Sequence, residues 1–463
     1  MRLLPPYITN QLFSQTSRTL CQKRLLYITQ TQKLISPIQS GSLPNRSCLD
    51  NLTYLTTHIQ EAAARKCSTV AVFLDLKQAY DTISITALLE HLHNIDIQGR
   101  LIHYLHFYLL NRSFQVKIGQ HTSDTKFPTT GLMQGSVLSP LLFILGLNSV
   151  ITDNLPAKIA IYADDIVIWT SQKLPNHALA ILQNTLTELH NRLALLNLHI
   201  APHKSKCMFF GYHKHTDEQP LKIDQTPIPF VTSAKFLGIT FDRLLTFRLH
   251  ILDIHKRASK RINLLRALSG TNWGSDRNTL LTLYKSLIRP ILEYGSPLFE
   301  NAAKSNIHLL DTLQHQCLKI ATGAYITTPY LALHIYNHIP ELQHRRTEAL
   351  LRYHYKTQLI RQHPCTKALK IRSKRRHQLM KKVPFKTTIG CRIQQHARNL
   401  HLALPTSKPL PPPKAWWKHQ TPTTHFLIGK PKRTYTDAEI QQLFLQFISQ
   451  YANYKTPEHN SHQ

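Results

Sequence analysis

Ile159-Ala160-Ile161-Tyr162-Ala163-Asp164-Asp165-Ile166-Val167-Ile168-Trp169 sets two adjacent carboxylates inside a run of strand formers. Burying one ionised carboxylate in such company is costly, and burying two is worse unless a cation or partner compensates them. A solvated hairpin turn would tolerate the pair. Against that, the stretch lacks the Gly or Asn that tight hairpins favour, and β-branched and aromatic residues continue on both sides. An acid pair at the tip of an apolar hairpin suits Mg²⁺, which takes one or two carboxylates plus substrate phosphates. The pair therefore needs a third acid. Thr69-Val70-Ala71-Val72-Phe73-Leu74-Asp75 supplies it, as a run of strand formers ending in one carboxylate. Paired beside the hairpin, that strand would set Asp75 facing Asp164 across two cations. Two metals about 3.5–4 Å apart serve phosphatases, nucleases and polymerases alike, and spacing alone does not choose among them.

Charge narrows the class. Lys plus Arg number 56 against 25 Asp plus Glu, a formal net charge of +31 over 463 residues, which is the footprint of a nucleic-acid binder. Hydrophobic content of 42% separates the chain from a ribosomal or histone-like tail and is enough for two or three packed domains. No apolar stretch approaches the length of about 18 residues needed to cross a bilayer. Seven scattered cysteines without a Cys-x-x-Cys pair read as reduced, intracellular and structural, with no zinc site expected.

Several segments together resemble the reverse transcriptases. Phe73-Leu74-Asp75-Leu76-Lys77-Gln78-Ala79-Tyr80-Asp81 looks like their motif A, Gly131-Leu132-Met133-Gln134-Gly135-Ser136-Val137-Leu138-Ser139-Pro140 like motif B, and Tyr162-Ala163-Asp164-Asp165 like motif C. Pro202-His203-Lys204-Ser205 resembles motif D, and Phe236-Leu237-Gly238-Ile239 followed by Asp242 resembles motif E. Beyond them, Leu283-Tyr284-Lys285-Ser286-Leu287-Ile288-Arg289-Pro290, Glu293-Tyr294-Gly295 and Thr322-Gly323-Ala324 look like the thumb of non-LTR (LINE-like) retrotransposon enzymes, most like the jockey clade. The resemblance runs from about the first residue to about residue 346.

What the resemblance implies is an RNA-directed DNA polymerase working by two-metal nucleotidyl transfer with Mg²⁺ or Mn²⁺. It would copy its own RNA at a nicked chromosomal target primed by the DNA. Asp75 and Asp164 would ligate both metals, with Asp165 as a lesser ligand, and Lys204 would protonate the departing pyrophosphate. Tyr80 would lie under the incoming sugar and leave no room for a 2′ hydroxyl. Gln134 and Gly135 would approach the template base and nucleotide, Leu237 and Gly238 would form the primer grip, and Asp81 is expected to cap or hydrogen-bond near a helix start. The implied partners are an RNA template, a DNA primer, dNTPs and other parts of a retrotransposon polyprotein, with no membrane. The implied location is intracellular, nuclear for integration after cytoplasmic assembly.

The expected fold is α+β: a right-hand polymerase with truncated fingers (1–60), an antiparallel-sheet palm (61–249), a helical thumb (250–350) and a basic linker with a C-terminal helix (351–463). Arg345 and Arg346, and a downstream cluster that includes Lys374, Arg375 and Arg376, are expected to follow a nucleic-acid backbone, since acids are nearly absent around the cluster. Two departures stand out. Gly41-Ser42-Leu43-Pro44-Asn45-Arg46-Ser47 lacks an arginine that relatives carry, and the family's Arg-Pro-Ile element would precede Leu3-Leu4-Pro5. The first puts template or fingers contacts in doubt, and the second fits a fragment. The alternative reading is a translated remnant of a mobile element that folds and binds nucleic acid without efficient polymerisation.

Overall fold

The structure, a computed structural model, describes residues 6–151, 155–211, 219–270, 273–360, 363–369, 387–402 and 404. Lys374, Arg375 and Arg376, the proline-rich stretch after residue 405 and the expected C-terminal helix lie outside them.

Helices α1 (Pro6–Thr31) and α2 (Cys48–Ala64) lead into strand β1 (Ser68–Leu74). Then come α3 (Ala79–Thr82), α4 (Ile85–Asn94), α5 (Arg100–Leu110), the small ribbon β2 (Lys117–Ile118) and β3 (His121–Thr122), and α6 (Ser139–Val150). The hairpin β4 (Lys158–Tyr162) and β5 (Asp165–Gln172) is followed by α7 (Pro175–Ala194), β6 (Lys206–Phe210), and the pairs β7 (Lys222–Ile223) with β8 (Thr226–Pro227) and β9 (Ser233–Phe236) with β10 (Ile239–Asp242).

The main sheet runs in the order β4-β5-β1-β6, and each neighbouring pair is antiparallel. Both of its faces are covered. Ala71, Phe73, Val167, Trp169 and Met208 pack with Leu52, Leu55 and Ile59 of α2. Val70, Val72, Leu74, Ile166 and Ile168 pack on the opposite side with Leu88 of α4, Phe143 of α6 and Leu182, Leu186 and Leu189 of α7. A strand buried on both faces has no polar alternation to display, which is why Thr69–Leu74 reads as a continuous apolar run.

After the sheet the chain is helical: α8 (Arg248–Ala267), α9 (Arg277–Leu283), α10 (Arg289–Glu293), α11 (Ser296–Phe299), α12 (Lys304–Thr322), α13 (Tyr330–Asn337) and α14 (Leu342–Leu359). Between α9 and α10, residues Tyr284–Ile288 form a π-turn in which Arg289 N–H reaches back to Tyr284 O. Pro290 follows immediately; it offers no N–H to the carbonyl four residues back, and the helix accommodates it by loosening. Among the described residues no helix is long and apolar enough to cross a membrane.

The packed structure runs past residue 350, where a basic linker was expected. Helices α15 (Pro364–Leu369) and α16 (Ile389–Asn399) bury Cys365, Leu369, Ile389 and Ile393 in the same core as α2. Two polar clamps hold them. Arg392 Nη1 donates to Glu300 Oε2 at 3.2 Å, and its Nη2 donates to Pro297 O at 2.9 Å. In the second clamp Asp50, His363 and Cys365 converge with all three residues buried. Cys365 N–H donates to His363 Nδ1 (3.2 Å), which leaves the imidazole proton on Nε2, 3.4 Å from Asp50 Oδ2. The thiol of Cys365 donates to Asp50 O at 3.1 Å. A metal would need the Nε2 lone pair that this tautomer has given to a proton, so the trio is a hydrogen-bonded clamp.

Burial pushes the Asp50 carboxyl up, but hydrogen bonds from His363, the amide of Ser47 and Tyr353 hold it below the usual carboxylate range. Its contribution to stability is therefore present above the unfolded carboxylate pKa and lost as pH falls through the depressed value. Replacing His363 by Ala removes one of the hydrogen bonds that hold the buried carboxylate, and urea unfolding is expected to register a loss of about 1–3 kcal/mol. A loss below about 1 kcal/mol would contradict the packing of α15 on α2.

Candidate active site at the open end of the sheet

The turn between β4 and β5 consists of Ala163 and Asp164 alone, since Tyr162 pairs with Asp165. Ala163 takes φ 55°, a conformation that favours Gly, so the tightness that the sequence argued against is present and strained. A segment from the start of the chain braces it. Ser40 N–H donates to Ile161 O (2.9 Å), and Ile161 N–H donates to Ile38 O (3.1 Å). Gln39 Oε1 accepts from Gly41 N–H (2.9 Å) and from Ala163 N–H (3.3 Å). Gly41 lies so close that a Cβ there would stand 2.5 Å from Ala163 N. The segment Gly41–Ser47 thus begins as the buttress of the acid-bearing turn.

Asp75 follows β1 at the same end of the sheet. The β1–β5 register runs to Leu74 opposite Ile166, and its next step sets Asp75 opposite Asp165 rather than Asp164, which occupies the turn tip. Ser205 fixes the backbone of Asp75: its Oγ accepts from Asp75 N–H (3.3 Å) and donates to Ala201 O (2.8 Å), while Ala201 N–H donates to Asp75 O (2.8 Å). Lys204, on that same turn, brings Nζ to 3.8 Å from Asp75 Oδ2.

Desolvation, then the charges of Asp164 and Asp75, push the Asp165 carboxyl up to about 6. Like charges so placed resist joint ionisation, and a divalent cation relieves them. The donor set is all hard oxygen and open to solvent at Asp164 and Asp165, so it fits Mg²⁺ or Mn²⁺ with room for phosphate and water.

Around the acids lie the other expected residues. Tyr80 stacks on Phe143 (centroids 4.5 Å apart, 19° between planes), so one face of the ring belongs to the core. Burial and the charge of Asp164 raise its phenol pKa, which puts the ring within reach of the acids. Gln134 and Gly135 lie exposed before α6, Gly135 at φ 82°. Their loop is held by Leu132 N–H to Tyr80 O (2.6 Å) and Gly131 N–H to Ile83 O (2.8 Å), and from below by buried Arg112, whose Nη1 donates to Gly131 O at 2.9 Å. Asp81 does not cap a helix. Ser84 caps α4, accepting from Ala87 N–H, while Asp81 Oδ1 accepts from Gln134 Nε2 at 2.9 Å.

Leu237 and Gly238 form the two-residue turn of the β9–β10 hairpin, both at positive φ. Tyr294 Oη donates to Leu237 O (2.7 Å), and its ring lies where a Cβ on Gly238 would be 3.0 Å away.

Two expected contacts are corrected. Arg346 is 4% exposed at its side chain and pairs with Asp311, Nη1 to Oδ1 at 3.0 Å, which leaves no free face for a phosphate. Arg345 is a bidentate partner of Glu293, at 2.8 and 3.0 Å, and also meets Glu348. Both join helices within the helical region. Sequence reasoning gave no role to Gln39, Gly41, Arg112 or Tyr294. Of these only Glu293-Tyr294-Gly295, among the segments of the resemblance, carried any signal.

Residues 9–241 match the reverse transcriptase (RNA-dependent DNA polymerase) family. Over 390 residues the chain is 27% identical to a probable RNA-directed DNA polymerase from transposon BS of Drosophila melanogaster, covering 80% of this chain and 41% of that protein. It is 28% identical over 309 residues to the RNA-directed DNA polymerase from mobile element jockey of the same organism, covering 65% of this chain and 33% of that protein. The chain thus spans less than half the length of these relatives. Among solved structures, apo telomerase from Candida tropicalis is a distant likeness, at 11% identity and a TM-score of 0.40 over 80% of this chain and 62% of that one.

The raised Asp165 pKa has a direct consequence. In the metal-free protein its contribution to stability is fully present below the unfolded carboxylate pKa near 3.8 and is lost as pH rises through about 6. Asp165→Asn is expected to raise the metal-free Tm at pH 7.5 and to shrink the Tm gain on adding Mn²⁺. An unchanged Tm and an undiminished Mn²⁺ response would show that the acids do not share a field. Gly41→Ala, which crowds Ala163, is expected to depress catalysis without loss of nucleic-acid affinity; equal kcat would show that the buttress does not set the turn.

Proposed function

Because this chain belongs to the reverse transcriptase family, we propose that it carries out RNA-directed DNA synthesis at the acid-bearing end of its sheet. The convergence of Asp75, Asp164 and Asp165, registered by the raised pKa of Asp165, is the observation that carries this reading. Bound divalent cations would supply activation of a primer 3′ hydroxyl and neutralise the triphosphate, as phosphoryl transfer generally requires. Asp75, Asp164 and Asp165 hold the cations. Lys204, 3.8 Å from Asp75, brings its amine to hand as proton donor for the departing pyrophosphate. Tyr80, held from behind by Phe143, offers its free face to the sugar and disfavours a 2′ hydroxyl. The Leu237–Gly238 turn, tied to Tyr294, supports the primer end.

In this reading the sheet and its flanking helices act as a palm and α8 to α14 as a thumb, with α1 and α2 in the fingers. Template RNA, DNA primer and dNTPs are the substrates, and other parts of a retrotransposon polyprotein are the partners. The net charge of +31 supports sequence-tolerant backbone binding.

Extension of oligo(dT) on poly(rA) with Mg²⁺ or Mn²⁺ tests the reading. Asp164→Ala is expected to lower extension by about three orders of magnitude or more while template–primer affinity holds, because a carboxylate adds nothing to the attraction between a chain of net charge +31 and phosphate. Extension that survives the substitution would remove Asp164 from the chemistry.

A further inference from the structure

Asp81 is an exposed carboxylate that the chemistry above does not use, yet it is fixed as firmly as the residues that the chemistry needs. Its N–H donates to Gln78 O (2.8 Å), and its carbonyl accepts from Thr130 Oγ1 (3.3 Å). Gly131, at φ 77°, passes so near that a Cβ there would stand 2.5 Å from Asp81 O. At the end of these contacts the carboxylate reaches across to Gln134, accepting from Nε2 at 2.9 Å.

A carboxylate can only accept, whereas a carboxamide has a donor end and an acceptor end. The bond therefore selects one of the two orientations of the Gln134 amide: nitrogen toward Asp81, oxygen away from it. In water such a bond contributes little to folding, because both partners are exposed and solvent competes for each. Its effect appears when a ligand covers the amide and water can no longer exchange for the wrong end.

We propose that Asp81 is a positioning residue for the incoming nucleoside triphosphate, holding Gln134 so that its amide oxygen, an acceptor, is presented to a hydrogen-bond donor on the nucleotide. The proposal rests on the polymerase reading, which makes the surface beside Tyr80 and Asp164 the nucleotide site. Removing Asp81 leaves Gln134 in place but lets its amide turn, so part of the bound population meets the nucleotide donor with another donor. Asp81→Asn keeps a hydrogen bond but none of the control, since an amide accepts from or donates to its neighbour equally well.

The test is dNTP affinity in a stalled complex of the full chain with template and a dideoxy-terminated primer, with thermal melting of each protein alongside. Gln134→Ala is expected to weaken dNTP binding about five- to tenfold, and Asp81→Ala about twofold, the most that two equally populated amide orientations cost. The double variant should be no weaker than Gln134→Ala, with Tm and template–primer affinity unchanged and Asp81→Asn as weak as Asp81→Ala. Losses that add in the double variant, or a fall in Tm that accounts for the weaker binding, would overturn the assignment, because then Asp81 does not act through Gln134. A parent complex that Asp81→Ala leaves unaltered would overturn it alone. A parent that forms no nucleotide-dependent complex would overturn both it and the polymerase reading.

Discussion

Repulsion among Asp75, Asp164 and Asp165 is the constraint on which the rest of the molecule is arranged. Three carboxylates at one end of one sheet are unfavourable in the absence of a cation: desolvation first, and then the charges of Asp164 and Asp75, push the Asp165 carboxyl up to about 6. They are kept together because the strands carrying them are buried on both faces and cannot slip: a shift by one residue would send Val167 and Trp169 to the side now occupied by Ile166 and Ile168. Packing energy in the sheet thus holds a charge arrangement that local chemistry opposes. A site of this kind gains from the cation what the fold gives up without it.

The immediate supports of the acids come from distant parts of the chain, and they hold the backbone that carries the acids. Gln39 and Ser40 brace the turn that carries Asp164, Ser205 anchors Asp75, and Gly131 packs under Asp81. Backbone hydrogen bonds constrain position without adding charge, so they rigidify the site without altering the balance that draws in a cation. Glycine recurs where two backbones meet, at Gly41 against Ala163 and Gly131 against Asp81, because no side chain fits between them.

The elements that were legible in sequence are those with a period or a contradiction. The strand Thr69–Leu74 and the hairpin around Asp164 declared themselves by apolar runs that end in acids, and the helices after residue 250 by their recurrent leucines. The buttress at Ile38–Gly41 was not legible, since its partners, the main chain of Ile161 and Ala163, lie more than 120 residues away and meet it only in the fold. The packed helices at 364–369 and 389–399 were missed because a few apolar positions, Cys365, Leu369, Ile389 and Ile393, are diluted in a basic stretch. Arg346 misled for the converse reason: its charge suggests solvent or phosphate, and only the fold brings Asp311 to it, 35 residues away in sequence. Asp81 looked like a cap from its place beside a helix, but the partner that gives it a role, Gln134, lies 53 residues on.

The central claim is that these three acids together make a divalent-cation site that nucleotide completes. Counting bound Mn²⁺ by electron paramagnetic resonance tests it most directly, on the full chain stalled with template, dideoxy-terminated primer and dNTP. The account predicts two tightly held ions in the parent, and loss of that binding in Asp75→Asn, a neutral substitution of the same shape. Equal Mn²⁺ occupancy in the parent and Asp75→Asn would contradict it.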